Sequence, residues 1–586
     1  MAMEYGLSYV SSIDPRVDIN NLHNKTYAVL RSIPRANFWQ FPSVGILGSV
    51  SQINWNATVP DVETYLNRRC FVQLGFDITF TGVSAGVGMT LLQCAGYAAA
   101  PGISAGNTSA TCDSLRCLPL SQLFQTFTVT INNNAITQPL GLYSRIFQRF
   151  QRTYDDQNLD LSMSPAAPDQ SFDYKDLFGS YLNPQGIYGG NTYDQRGAFT
   201  GVTIIRNDST GVADVAIARV YLVEPFWISP FAFDRNDEPV SMIGIRNFNV
   251  SAICGGRGSG PLAGQAGSLW SHANGIPGLS GAITNATVNF TSANLFLNFI
   301  TPPEGQPLPR SLYYSWVNPS YYQQSTPSVL AGASTSQNSQ TIQLDTVPSR
   351  MYIWMDKSDA AMDMTQTDTI PFMTTNVAIR WDTTSNILAD MTTNDLYQMT
   401  VKNGFNCTWN QANGVQVFPA FAAAPYRSGT GFILCINFGT DLPLPAGQCP
   451  GLAGRHTMQI RVTATNLSSA TVTNASVNVL IVEEGVMFID NQTIQFSSGV
   501  VSQNEVKMTE GMRPISHMPS KNILGGAFWD DVLNFVKRAG PGVFRALKSY
   551  LPAPAQQVGE AVLGAYGKGM VGGAVVGGRT LGRLMQ

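Results

Sequence analysis

Arg69-Cys70-Phe71-Val72-Gln73-Leu74-Gly75-Phe76-Asp77-Ile78-Thr79-Phe80 is the stretch whose reading decides the fold. Phe76, Ile78 and Phe80 alternate with Asp77 and Thr79, the period-two pattern of a strand with one buried face and one wet face. Leu123 to Ile131 alternates in the same way and stops at Asn132-Asn133-Asn134, which reads as one arm of a hairpin entering an Asn-rich turn. Between Gln138 and Gln151, Leu140, Leu142, Ile146 and Phe147 fit a helix, with a loop between strands as the alternative. Strand-sized pieces return at Thr203 to Ile205, Val215 to Val223 and Ile243 to Val250. The prolines of Glu224-Pro225-Phe226-Trp227-Ile228-Ser229-Pro230-Phe231 are excluded from central ladder positions, so this piece belongs at a strand end or in a packed loop.

The second half repeats this grammar. Cys254 to Gly281 is rich in Gly, Ser and Ala and reads as a connector, and its Gly255 to Pro261 run lacks the Lys-Ser/Thr ending of a phosphate loop. Strand patterns then resume at Thr287 to Thr291, Leu295 to Ile300, Leu312 to Val317 and Arg350 to Met355. They continue at Val377 to Trp381, Gly431 to Ile436, Thr457 to Val462 and Ser476 to Val482. Length and turn spacing predict an all-β chain of two antiparallel sandwiches; no blade-length repeat favours a propeller. The expected divisions are an N-terminal arm over 1–50, a first sandwich over 51–253, a connector over 254–284, a second sandwich over 285–495, a linker over 496–525 and a tail over 526–586.

Composition narrows the function. The 586 residues are 44% hydrophobic and 12% charged, about half the usual charged share, so the core is ample and the surface is rich in amides and hydroxyls. A net charge of −3 argues against phosphate binding along the whole chain. Cys112 and Cys117 have no adjacent histidine, and the eight cysteines are too sparse to replace a core, so structural or free thiols are expected and no metal. His23, His272, His456 and His517 lie in no catalytic motif; Asp356, Asp359, Asp363 and Asp368 lack EF-hand order and read as a solvated acidic loop. No basic-then-apolar leader opens the chain and no apolar run reaches eighteen residues, so synthesis inside the cell is expected. No enzyme activity and no cofactor is expected.

Leu118-Pro119-Leu120-Ser121-Gln122-Leu123-Phe124 with Val129 to Asn134 resembles the first-jelly-roll hairpin of double jelly-roll major capsid proteins of virophages, polinton-like elements and related eukaryotic DNA viruses. Ile379-Arg380-Trp381-Asp382-Thr383-Thr384-Ser385-Asn386-Ile387-Leu388-Ala389 and Leu396 to Gly404 resemble its second-jelly-roll segment, ahead of Phe432-Ile433-Leu434 and the turn Asp441-Leu442-Pro443-Leu444-Pro445. The resemblance spans residues 50–495. It implies two consecutive eight-stranded antiparallel jelly rolls, a homotrimeric pseudo-hexagonal capsomer of an icosahedral virion assembled in the infected host cell, and contacts with neighbouring capsomers and penton or minor capsid proteins. Taken by themselves, Asn386 is a turn residue and Trp381 a core aromatic. A trimeric viral spike or receptor-binding β-protein is the alternative; a glycan hydrolase would need two converging carboxylates that no pattern places.

Tyr313, Tyr314, Trp316, Tyr321 and Tyr322 are candidates for assembly contacts or for an internal aromatic cluster. Arg246 and Arg380 lie in apolar strand-like sequence and are candidates for a subunit boundary, with surface positions as the default. In the tail, Phe528, Trp529, Val532, Phe535, Val536 and Phe544 fit an amphipathic helical pattern beside Lys537, Arg538, Arg545 and Lys548. Residues 521–586 hold eight basic and three acidic residues, net +5, leaving −8 on the rest. This polarity fits a tail that anchors the inner shell or directs assembly, or that touches genome or an internal membrane.

Overall fold

The computed structural model describes residues 35–498 except 46, 60–63, 83–113, 152–201, 209–214, 233–240, 259, 272–282, 302–310, 359–361, 365–369, 418–425, 429–430, 469–470 and 491–492. The tail and its candidate residues from Phe528 to Lys548 lie outside this set, as do Asp359 and Asp368.

In the first half the strands are β1 (Arg35–Pro42), β2 (Gln52–Thr58), β3 (Tyr65–Asn67), β4 (Phe71–Thr81), β5 (Ser114–Leu115), β6 (Phe124–Ile131) and β7 (Asn134–Gln138). They continue with β8 (Val202–Asp208), β9 (Val215–Pro225), β10 (Ser241–Met242), β11 (Asn247–Cys254), β12 (Trp270–Ser271) and β13 (Asn285–Thr301). Helices α1 (Pro119–Leu123), α2 (Leu140–Gln151) and α3 (Gly264–Leu269) lie among them. One sheet runs β10-β3-β13-β4-β9-β8, with β1 on the free side of β13; the other runs β2-β11-β6-β7. Leu74, Phe76, Ile78 and Phe80 of β4 are fully buried, and so are Val129, Ile131 and Phe248 of the other sheet. Arg69 to Phe80 thus runs into β4, and its alternation is the core-facing pattern it predicts.

The second half contains β14 (Ser311–Ser325), β15 (Ser334–Asn338), β16 (Ile342–Thr346), β17 (Arg350–Lys357), β18 (Phe372–Trp381) and β19 (Thr384–Ile387). After α4 (Thr393–Lys402) and α5 (Trp409–Asn413) come β20 (Val415–Val417), β21 (Tyr426–Ser428), β22 (Leu434–Asn437), β23 (Ala453–Asn466), β24 (Ala475–Asp490) and β25 (Thr493–Ser498). Its sheets run β14-β24-β17-β22, with β25 on β24, and β15-β23-β18-β19, with β16 on β23.

Local chemistry explains the turns. Ile131 pairs with Asn134, and the two intervening residues have φ of 47° at Asn132 and 72° at Asn133. Two positive φ values are what a two-residue hairpin with the right-handed strand twist requires, and Asn tolerates them better than most side chains. The Asn132 carboxamide oxygen also accepts the backbone N–H of Arg246 at 2.7 Å. At β18–β19 the turn residue Asp382 has φ 48°; Asn386, expected in a turn, lies instead within β19 with φ 60°, a left-handed value that Asn tolerates. Trp381 is a fully buried core aromatic.

Three expectations change. Asn285–Thr301, assigned by sequence to the second sandwich, pairs with β4 from Thr81 to Phe71 and so completes the first. The Gly-rich connector is packed: a Cβ at Gly256 would strike the Gly264 backbone, and one at Gly258 the carbonyl of Met362. Glycine there permits close backbone approach, and Leu269 and Trp270 beside it are fully buried. Asp356 belongs to no solvated loop: it is 3% exposed and bonds Arg145 at 2.6 Å. The segment over 138–151 is the helix α2, of the two alternatives.

The two halves meet through α2. Phe147 packs edge-on against Tyr352 at 5.5 Å, and Phe150 lies 4.7 Å from Tyr352 and 5.2 Å from Phe405. Residues 351–356 of β17 are consequently buried on both faces. Buried Arg116 reinforces the junction, donating to the carbonyls of Gly267 at 2.6 Å and Asp363 at 2.7 Å.

Candidate assembly surfaces

The aromatic series on β14 divides by burial. Tyr314 is 1% exposed, donates its hydroxyl to the Ser241 carbonyl at 2.8 Å and lies under the Arg68 guanidinium, 5.6 Å from the ring centroid. Trp316 packs on Phe496 at 4.5 Å. Both therefore hold this chain together. Tyr321 is half-buried and bonds Asn478 at 2.7 Å. Tyr322 is half-buried too, and its phenol is pushed above the usual value by burial and by the nearby Glu483 and Asp345 carboxylates. Tyr313 pairs with Phe488 in the β14–β24 ladder. Arg246 and Arg380 are exposed.

What remains on the surface is three sheet faces of different chemistry. On the β4–β9–β8 face, Tyr221 is 41% exposed and lies across Gly75, where an added Cβ would come within 2.7 Å of its ring. Ile205 is exposed at the β8 bulge next to Ile217, and Arg219 spans to Asp77 with two hydrogen bonds of 2.8 and 2.9 Å. On the β2–β11–β6–β7 face, the outward residues include Gln52, Asn56, Asn247, Asn249 and Thr137, all uncharged. Gln52 reaches Ser251 at 2.9 Å, and Thr128 meets Thr137 at 3.0 Å. On the outward face of the β15–β23–β18–β19 sheet stand Arg380, Arg455 and Arg461. The low charge content of the chain thus becomes two broad walls with few ions and one with arginines.

Beneath the arginine face lies a polar knot. His456 is buried, stacks on Trp381 at 5.0 Å and donates from Nδ1 to Asp382 at 2.8 Å. Trp381 in turn donates to Gln448 at 2.9 Å. Burial raises the Asp382 carboxyl pKa, but the hydrogen bonds from His456 and from the Thr457 N–H outweigh it and hold the carboxyl below its usual range. Among the described residues no three His, Cys, Asp or Glu side chains are grouped to hold a metal, and no helix is long and apolar enough to cross a membrane. Burial pushes the Cys254 and Cys435 thiols up to about 12.

Sequence reasoning missed Tyr221, the Arg219–Asp77 pair and Arg461. Each stands at an outward position of an alternating strand, so the signal was present, but only the register brings Asp77 opposite Arg219.

Comparison with known proteins gives two family matches. The Sputnik virophage major capsid protein 1st domain matches residues 10–300, and the Major capsid protein V20 C-terminal domain matches residues 318–485. Capsid protein V20 of the Sputnik virophage is 26% identical over 98% of this chain and 97% of its own length. Among solved structures, a chain of the Sputnik virophage cryo-EM structure is similar at TM-score 0.69 and 24% identity, covering 88% of this chain and 98% of that one. The mavirus major capsid protein is similar at TM-score 0.60 and 13% identity, covering 80% and 92%. The boundary between the two family matches falls after β13, where the sheet pairing also places it.

Proposed function

We propose that this chain, a homologue of the Sputnik virophage major capsid protein in the double jelly-roll family, forms trimeric pseudo-hexagonal capsomers of an icosahedral shell. It is a viral major capsid protein located in the virion capsid, a structural protein and not an enzyme. The finer reading is that each half is an eight-stranded jelly roll and that the sandwiches stand side by side as the walls of one subunit. The observation that carries it is the weld at α2, where Phe147, Phe150 and the Arg145–Asp356 pair make one block of the two halves. A rigid block with mostly uncharged side walls suits close packing, because few ions have to be desolvated when identical subunits meet. Neighbouring capsomers and penton or minor capsid proteins are the partners this arrangement requires.

The tail over 526–586, with Phe528, Trp529, Val532, Phe535, Val536 and Phe544 beside Lys537, Arg538, Arg545 and Lys548, serves as an inner-shell anchor. Its net positive charge also suits contact with genome or an internal membrane. A spike or receptor-binding role is set aside by the match to a capsid protein along nearly the whole chain. Electron microscopy and analytical ultracentrifugation of the purified protein test the proposal. Trimers that associate into hexagonally packed shells are expected; a protein that stays monomeric at every concentration and ionic strength overturns it.

A further inference from the structure

On the outward face of the second sandwich, Arg380 pairs with Gln459 and Arg461 with Ala378, so the two guanidiniums occupy diagonal positions on adjacent strands. Diagonal neighbours are roughly 7–8 Å apart, within reach of long side chains. Both arginines are exposed. The ground around them is hydroxyl: Ser334 meets Thr465 at 2.7 Å, and Thr463 donates to Ser336 at 3.2 Å. Of the acids on this side, Asp390 follows Ala389, whose carbonyl accepts from Asn376, and forms no ion pair among the described residues. Asp382 is held by His456 and by the Thr457 N–H, and Asp345 lies at the far end of the sheet near Arg455. No ion pair to Arg380 or Arg461 forms among the described residues. Two like charges set side by side repel, and an anion between them removes that cost.

The chain carries a segment of complementary charge. Residues 155–176 contain Asp155, Asp156, Asp160, Asp169, Asp173 and Asp176 against Lys175 alone, net −5. The flanks of this segment are fixed: α2 ends at Gln151 with Phe150 against Tyr352 and Phe405, and the chain resumes at Val202 in β8, the outermost strand of its sheet. Both flanks belong to the first half or its junction with β17, whereas the arginines face outward from the other sheet of the second sandwich. A second copy carries the same arginine face, and close packing of copies in a shell brings such faces within reach of the segment.

From this we infer that the acidic segment 155–176 of one copy docks on the Arg380–Arg461 face of a second copy. The inference rests on the capsid reading, which supplies that second copy. Exposed charges of this kind set register and association more than fold, and salt screens them.

The test uses full-length R380K/R461K protein, which keeps both charges and offers amines for carbodiimide coupling to carboxylates. Nitrogen-15-labelled and unlabelled protein are mixed before assembly, and cross-linked peptides are read by mass spectrometry. Links from position 380 or 461 to residues 155–176, with mixed isotopes in about half of them, are expected. Links in single-isotope form alone, links to a different acidic stretch, or none in assembled particles overturn the inference. In parallel, R380E/R461E is expected to weaken capsomer association about tenfold, and adding D169K/D173K/D176K to restore it. Failure of that restoration, with loss of co-purifying nucleic acid instead, assigns the face to a nucleic acid and overturns the inference. Failure of unmodified protein to associate at all overturns the capsid reading rather than this one.

Discussion

Arg145 and Asp356 stand 211 residues apart in the chain and 2.6 Å apart in space, with both side chains almost wholly buried. Taking two charges out of water is costly, and the pair offsets that cost only while both members are present. Arg145→Met should destabilise the protein by about 3–5 kcal/mol, and Asp356→Leu by a similar amount. The double variant should be less destabilised than either single one, as read by denaturant unfolding. A double variant as unstable as the sum of the two would show that the side chains act independently. A second residue-scale consequence concerns pH. The Asp382 carboxyl is held below its usual value of roughly 3.9, so its contribution is fully present above that value and is lost as pH falls through the lower folded value. Asp382→Asn should lower the melting temperature at pH 5, and the difference from the unmodified protein should shrink to nothing in strong acid. A difference independent of pH would remove the carboxylate from the account. The single-residue role of Trp381 in a core was legible because hydrophobicity is a local property, whereas Asn386, read as a turn residue, stands within β19. Arg145 with Asp356, and Asp382 with His456, were not legible, because a pairing depends on register and packing that no short window contains.

At the scale of elements, alternation identified β4, β6 and β9 correctly, and the helical spacing of Leu140, Ile146 and Phe147 agreed with α2. The division between the halves was misread for a physical reason. Glycine-rich sequence suggests a loose connector, yet in 255–267 the missing side chains let Gly256 lie against Gly264 and Gly258 against Met362. The passage between the halves follows β13 instead, at the Pro-rich 302–310. β13 pairs with β4 and β3 along one edge and with β1 along the other, with Val288, Phe290, Leu295 and Leu297 in the core. Removing it leaves β4 without one neighbour along most of its length. A fragment ending at 284 should therefore show no cooperative melting, whereas one ending at 310 should melt cooperatively, below the temperature of the whole protein because α2 loses its cover. Circular dichroism of the two fragments during heating decides this; equal melting by both would mean that β13 is dispensable to the first sandwich.

For the molecule as a whole, the proposed assembly role falls on the sheet faces and on the tail. Every described strand of the double sandwich lies between Arg35 and Ser498, so a chain cut after Ser502 keeps both sandwiches and tests the tail by itself. The charge division points the same way: without residues 503–586 the chain loses ten basic and five acidic residues and becomes more negative, from −3 to −8. A tail that anchors the inner shell adds a contact per subunit at high effective concentration, which matters little to one capsomer and much to a closed lattice. Ending the chain at Ser502 should leave the melting temperature within about 2 °C of the full protein, since every described strand of both sandwiches is kept. Capsomers should form as before, while the yield of closed shells falls and the shells dissociate at lower ionic strength. Light scattering during a salt titration, with electron microscopy at its end points, measures both effects. Shells of equal yield and equal salt tolerance from the shortened chain would take the tail out of the assembly mechanism and leave closure to the sheet faces alone.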